Sequence, residues 1–322
     1  MKSNPQIISG WGNFPRQSCH LSSQRYEHEI QDALNDSAFS HYIARGLGRA
    51  YGDSSLNQDQ AVLLQTRRNR FLGFNQETGN LCCEAGTSFE EILQHFLPQG
   101  WTLPTTPGTK YVTVGGAIAA DVHGKNHHRD GSFGNYVTQF RLLTGTGEVL
   151  TCTPQEHADV FWATIGGMGL TGVILDAEIQ LQPTASVYYH VDYRRTRNLA
   201  DTLQVFEETD ADYRYSVAWI DGLAQGKFLG RSVVMLANDA QPDELPASHK
   251  NQPLQLPTKM AAQVPCNLPG FMLNSISVRM LNHTYYHLHR NRQRWVDMDS
   301  FFYPLDRIGN WNRAYGRRGF VQ

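Results

Sequence analysis

The stretch ARGLGRAYGDSSLN, residues 44–57, limits what this chain can fold into. Its glycines at 46, 48 and 52 follow a GxGxxxG spacing, not GxGxxG. A doubly wound dinucleotide fold needs a helix directly behind its glycine turn, whose first amides meet a pyrophosphate. Here DSSLNQDQ follows, with no apolar helical face. That rejects a nicotinamide-binding Rossmann turn. Glycine-rich backbone can still hold an anion, because successive unobstructed amides form a nest. Arg45 and Arg49 add charge. A turn with a purely structural role has the same spacing.

A second loop, PTTPGTKYVTVGGAIAADVHGKN, follows sixty residues later, from Pro104. Gly108, Gly115 and Gly116 allow close backbone approach, and Thr109 and Thr113 supply hydroxyls. The short GGAIAAD helix is expected to present free amides to a diphosphate. A third cluster, GGMGLTGVI (166–174), suits backbone laid along a flat ring, or a tight helix-to-strand turn. Two anion-ready loops in one strand-rich half point to a long cofactor containing a diphosphate.

Around these loops the hydrophobic pattern predicts mixed helices and strands. A polar helix is expected over 22–36, and short strands at HYIARG and AVLLQT. Hairpins are expected around ETGN and GTGE. SFEEILQHFLPQG opens on a Ser88–Glu91 capping box, places Phe89, Ile92, Leu93, Phe96 and Leu97 on one face, and stops at Pro98 and Gly100. A small-residue helix is expected over 115–122, another at EHADVFWATIGG, and a long strand at GVILDAEIQLQP. After Pro183 tyrosines crowd in, with strands at SVYYHVDYR and YRYSVAWID flanking a helix near 198–209. Residues 238–260 read as a long Pro/Gln/Asn-rich loop. The expected organisation is a first domain over 1–184 and a second over 185–322.

Composition narrows the partners. With 28 basic and 30 acidic residues and a net charge of −2, no nucleic-acid stripe is expected. Five cysteines without a CxxC pair read as reduced, partly buried thiols. The N-terminus lacks an apolar signal core, and no run reaches membrane-span length. A cytoplasmic protein is expected, with membrane contact peripheral at most. Basic clusters at 66–71, 289–295 and 312–320 read as solvated faces or as anion-facing surfaces.

ARGLGRAYGDSSLN, PGTKYVTVGGAIAADVHGKNHHRDGSFGNYV and FWATIGGMGLTGVI resemble the PCMH-type flavoproteins of the vanillyl-alcohol oxidase superfamily. Within them the chain is most similar to the decaprenylphosphoryl-β-D-ribose 2′-oxidase-like proteins. SGWGNFP, YSVAWID and FFYPLDRIGNWNRAYGRRGFVQ extend the likeness over almost the whole chain. The resemblance implies an α+β fold: a PCMH-type FAD-binding domain and an incomplete antiparallel-sheet substrate (cap) domain. It implies FAD, carried by Ala44, Arg45, Gly46, Leu47, Gly48, Arg49, Ala50, Tyr51, Gly52, Asp53 and Ser54. From the second loop it adds Gly108, Thr109, Thr113, Val114, Gly115, Gly116, Ala120, Asp121, Val122 and His123, and from the following strand Ile174. Many relatives attach flavin through a histidine just after the loop arginine. Ala50 stands there in this chain, so non-covalent FAD is expected.

The implied reaction is oxidation of a secondary alcohol on a sugar, small or lipid-linked, by hydride transfer to flavin N5. His123 and Lys125 are the candidate catalytic side chains, and Lys125, Trp219 and Phe302 the candidate substrate contacts. Trp219 and Phe302 also suit ordinary aromatic core. A short-chain dehydrogenase is the implied partner enzyme. A zinc site on His123, His127 and His128 competes, but its ligands share one glycine-rich loop and lack a fourth; no metal is expected. The family continues past GFVQ with more of the cap and a return to the flavin domain. The chain is therefore expected to be C-terminally truncated, with Phe320–Val321–Gln322 stopping inside a strand. The alternative is a non-catalytic flavin-binding remnant, or half of a split flavoenzyme.

Overall fold

The computed structural model describes residues 4–257 and 262–320. Three sheets organise it. The first contains β1 (Gln6–Ser9), β2 (Arg16–Ser23), β3 (Tyr42–Arg45) and β4 (Ala61–Leu64), in the order β1-β2-β4-β3. The hairpin β1–β2 is antiparallel, whereas β4 pairs in parallel with β2 and β3. The helix expected over 22–36 is shorter. It begins at Glu27 as α1 (Glu27–Leu34), because Arg16–Ser23 is drawn into the sheet by both neighbours.

The second sheet contains β5 (Phe71–Phe74), β6 (Asn80–Glu84), β8 (Val137–Leu143), β9 (Val149–Cys152) and β10 (Val173–Gln180), in the order β5-β6-β10-β8-β9. Both expected hairpins are present, β5–β6 and β8–β9. Two-residue strands β7 (Trp101–Thr102) and β11 (Gln182–Pro183) pair beside it. Helix α2 (Phe89–Phe96) starts on Ser88, whose hydroxyl accepts from Glu91 N at 3.2 Å, while the Glu91 carboxylate accepts from Ser88 N at 2.8 Å. That reciprocal cap contributes about 1 kcal/mol. Gly100 ends the segment at φ +83°, as a left-handed stop requires. Phe89, Ile92, Leu93 and Phe96 are buried with α3 (Val114–Ala119) and α5 (Ala158–Thr164) in the main core.

The third sheet carries β12 (Tyr188–Thr196), β13 (Tyr215–Ile220), β14 (Ser232–Asp239) and β16 (Arg292–Asp297), in the order β13-β14-β12-β16, all antiparallel. Helix α6 (Leu199–Thr209) packs on it through the Thr202–Thr196 hydroxyl pair. The main core runs unbroken into this sheet: Tyr189, Tyr215, Phe301 and Phe302 belong to it, the last two from α9 (Met298–Phe302). Arg214 staples the two sides. Its guanidinium donates to Asp130 at 2.8 Å, on α4 (His127–Asp130), to Asp239 at 3.0 Å and to Gln182 at 2.7 Å.

Two further expectations change. The 238–260 segment is partly ordered by α7 (Ala247–Lys250), where His249 stacks on Tyr188 at 4.5 Å; residues 258–260 lie outside the described residues. In the 66–71 cluster Arg67, Asn69, Arg70 and Phe71 are exposed, and only Arg68 turns inward, buried against Glu84 at 3.6 Å. Strand β15 (Ala262–Gln263) precedes helix α8 (Ser275–Leu288) in the chain and pairs in parallel with β17 (Ile308–Gly309), which comes after it. Gly319 and Phe320 are not in a strand; Val321 and Gln322 lie outside the described residues. The five cysteines are unpaired, and burial pushes the Cys83 thiol up to about 12. No described helix is long and apolar enough to cross a membrane.

Candidate functional site

The two glycine loops meet. Gly46, just past β3, lies against Thr113, the residue that caps α3. A Cβ on Gly46 would overlap Thr113 Oγ1 and lie 3.0 Å from its Cγ2. Gly48 holds φ +68°, which turns the loop back over the sheet. Between the loops lies a cavity of about 620 Å³, large enough for a cofactor.

The hydrogen bonds at this cavity differ from the sequence expectation in two places. The first amides of α3 are not free. Val114 N donates to Thr87 O at 2.8 Å, Gly115 N to Ala85 O at 2.8 Å, and Gly116 N to Thr113 Oγ1 at 3.2 Å. The free amides are on the first loop instead. Among the described residues, the N–H groups of Leu47, Gly48, Arg49, Ala50 and Tyr51 donate to no protein acceptor. The second difference separates the two arginines. Arg45 is consumed by structure: it donates to Ser9 O at 2.7 Å and to Ser55 O and Oγ at 3.2 and 3.0 Å. Arg49 stacks its guanidinium 3.9 Å over the Trp11 ring and has no hydrogen-bond partner among the described residues. Burial weakens its hold on its proton, while Asp306 nearby strengthens it; an arginine stays charged throughout.

These features fit FAD. A diphosphate offers acceptors to five unpaired amides and one unpaired guanidinium. Gln65 also lines the cavity, and its Oε1 is buried without a partner, an acceptor awaiting a donor.

Most of the residues singled out in the sequence line this cavity: Ala44 through Tyr51 and Ser54; Gly108, Thr109, Thr113, Gly115, Gly116, Ala120 and Val122; and Ile174 of β10. Five do not. Gly52 sits in the turn facing the N-terminal hairpin, at φ +73°, and Asp53 is exposed. Val114 points into the core, fully buried. Asp121 turns its carboxylate to accept from Gly134 N at 2.9 Å. His123 is exposed, bridging to Ser132 and packing on His127 at 5.1 Å. His123, expected beside a flavin ring, does not line this cavity. His128 Nε2 lies 3.3 Å from Tyr213 O. No group of three metal-ligating side chains occurs among the described residues.

Other lining residues were not named from the sequence. Trp11 and Trp311 come from opposite ends of the chain and meet edge to face at 5.8 Å. Asn312 fixes that meeting by donating to Trp11 O at 2.9 Å. Their presence in SGWGNFP and RIGNWNR was a signal, but nothing local reveals that they meet. Met168 and Gly169 come from the third glycine cluster and lie on the cavity wall.

Lys125, Phe302 and Trp219 lie outside the large cavity. Lys125 Nζ has one hydrogen-bond acceptor among the described residues, Phe302 O at 3.4 Å, and sits 5.1 Å over the Phe301 ring and 5.2 Å over Phe302. Burial pushes its pKa down to about 8. Phe302 lines a second, water-sized cavity of about 10 Å³ with Tyr189, Tyr215 and Tyr303. There Tyr303 OH and Thr106 Oγ1 share a 2.7 Å hydrogen bond. Trp219 packs on Tyr285 of α8 at 4.5 Å.

Comparison with known proteins agrees with this geometry. Residues 25–153 match the family described as FAD binding domain. The chain is 39% identical to decaprenylphosphoryl-beta-D-ribose oxidase of Mycolicibacterium smegmatis over 285 residues, 87% of this chain and 62% of that protein. Two further matches are shorter. Delta(24)-sterol reductase of Rattus norvegicus is 30% identical over 45% of this chain and 28% of its own length. Cytokinin dehydrogenase 8 of Oryza sativa subsp. indica is 36% identical over 30% of this chain and 18% of its own. The chain thus spans about three fifths of the first relative's length.

Proposed function

We propose that the chain is an FAD-dependent oxidoreductase acting on a secondary alcohol of a sugar, a reading supported by the match of residues 25–153 to the family described as FAD binding domain. The observation that carries this reading is the cavity itself, shaped by both glycine loops and lined by the residues that carry five amides and one guanidinium, of Arg49, without a protein acceptor among the described residues. FAD, when bound, supplies the hydride acceptor. The flavin is held non-covalently: Ala50 follows Arg49, and the described cavity wall contains neither histidine nor cysteine.

The rest belongs to the protein. Residues 1–184 supply most of the cofactor cavity, joined by Leu305 and Trp311, and 185–322 form the substrate side together with Lys125. Lys125 is the substrate-facing cation, because its ammonium has two N–H groups to spare and little water around it. It pairs with a phosphate on the sugar or with the alkoxide that forms as the hydroxyl proton leaves. Phe302 shapes the wall beside it. A polyprenyl-phosphoribose is the substrate class that joins a secondary alcohol to such an anion, as the name of the mycobacterial relative suggests. A short-chain dehydrogenase reducing the resulting ketone would complete an epimerisation.

Purified protein is expected to be yellow and to release its flavin into the supernatant on acid precipitation. Anaerobic polyprenyl-phosphoribose should then bleach the chromophore. A colourless protein that takes up no added FAD would end the flavin reading, and colour retained in the acid pellet would end the non-covalent one.

Lys125 gives a second expected result. Its folded pKa of about 8 lies below the ordinary lysine value of 10.5. The folded state therefore sheds this proton before the unfolded state does. The burial penalty is full below pH 8 and fades as pH rises towards 10.5. Lys125→Met should raise unfolding free energy at pH 7 by about 2 kcal/mol, allowing for partial exposure. It should also flatten the rise in stability between pH 8 and 10, and abolish bleaching by substrate. Urea titrations of both proteins across that range decide the point; parallel curves would remove the case for a desolvated ammonium.

A further inference from the structure

We propose that α8 and the segment before it dock on an anionic lipid surface. From Leu245 to Val296 the sequence has no acidic residue and six lysines or arginines, within a chain whose net charge is −2. That one-sided charge coincides with exposed apolar side chains. Phe271 is 77% exposed, Ile276 72%, Met280 68%, and Leu281 and Leu288 are also exposed.

The helix explains how both arise. Its inner face is committed to the third sheet. Asn282 donates to Asp221 at 2.7 Å, Tyr285 packs on Trp219 at 4.5 Å, and Tyr286 OH donates to Thr196 O at 3.2 Å. Residues three and four apart share a helix face, so Ile276, Met280, His283 and His287 form one outward stripe, opposite the packed face. Arg279 flanks it, and Arg290, Arg292 and Arg294 follow the helix end, the latter two exposed on β16. The nearest packed acid, Asp221, is held by Arg231 at 2.6 Å and by Asn282, so it does not offset these charges. Apolar side chains framed by cations and free of acids match the boundary of an anionic bilayer. Single exposed apolar residues are ordinary, whereas a contiguous group on one element calls for a partner. Charge selects lipid over a second copy of this surface, because two such faces would repel.

The proposal is independent of the substrate reading, and its test reads binding alone. Flavin-loaded protein would be sedimented with vesicles of equal parts phosphatidylcholine and phosphatidylglycerol, and with phosphatidylcholine alone. Binding is expected only to the anionic vesicles, weakened at least about tenfold by high salt. The pair Ile276→Glu and Met280→Glu should weaken it about tenfold or more, with flavin content unchanged. Leu203→Glu, on the exposed side of α6, should bind as the parent does. Equal binding to neutral vesicles, or binding indifferent to the α8 pair, would overturn the assignment. So would a dimer that the α8 pair dissolves without any vesicle binding.

Discussion

Gly46→Ala is expected to give a protein that holds little FAD and unfolds about 3 kcal/mol more easily. The added methyl would occupy the space of Thr113 Oγ1. Thr113 cannot step aside, because it is buried and its hydroxyl caps α3 through Gly116 N. The strain must separate the two loops, and with them the walls of the cavity. Thr113→Ala in the same protein removes the two nearest atoms and leaves Cβ 3.2 Å away. The double variant should therefore regain part of its FAD affinity, although each single change weakens binding. Denaturant midpoints and flavin content measure both effects. A Gly46→Ala protein as yellow and as stable as its parent would mean that the loops do not form the cavity as described.

Arg49→Ala should weaken FAD binding by about 10- to 100-fold with little change in apoprotein stability, since a hydrogen bond to a charged group is worth about 1.5–3 kcal/mol. The reasoning rests on an unspent guanidinium: Arg49 is stacked on Trp11 and hydrogen-bonded to nothing described. Arg45→Ala provides the contrast. Its bonds go to Ser9 and Ser55, so its loss should lower the melting temperature of the apoprotein first. Fluorescence titration of free FAD separates the two. If Arg45 proved the one needed for affinity and Arg49 the one needed for stability, the assignment of the diphosphate cation would be reversed.

The contrast between these arginines shows how far sequence reaches. Both flank the same glycines and carry the same charge, and nothing local distinguishes them. Ser9 lies 36 positions from Arg45, and its carbonyl is available only because the β1–β2 hairpin lies beside β3's loop. The amides at the start of α3 teach the same lesson. A Thr-capped glycine helix reads as an anion site, yet Ala85 and Thr87 reach its first N–H groups because the turn after β6 packs there.

The sequence by itself determined the elements governed by neighbours along the chain. The Ser88–Glu91 box started α2, and Gly100 stopped it. ETGN and GTGE closed hairpins. The GxGxxxG spacing without a following helix ruled out a Rossmann turn, and two glycine loops announced a phosphate-bearing cofactor. Only the tertiary structure decided which donors remained unspent. Each backbone amide and each guanidinium seeks a partner, and a binding site is made of those whose partners the fold leaves out. That remainder depends on contacts such as Trp11 with Trp311, made across nearly the full chain, and no local pattern contains it.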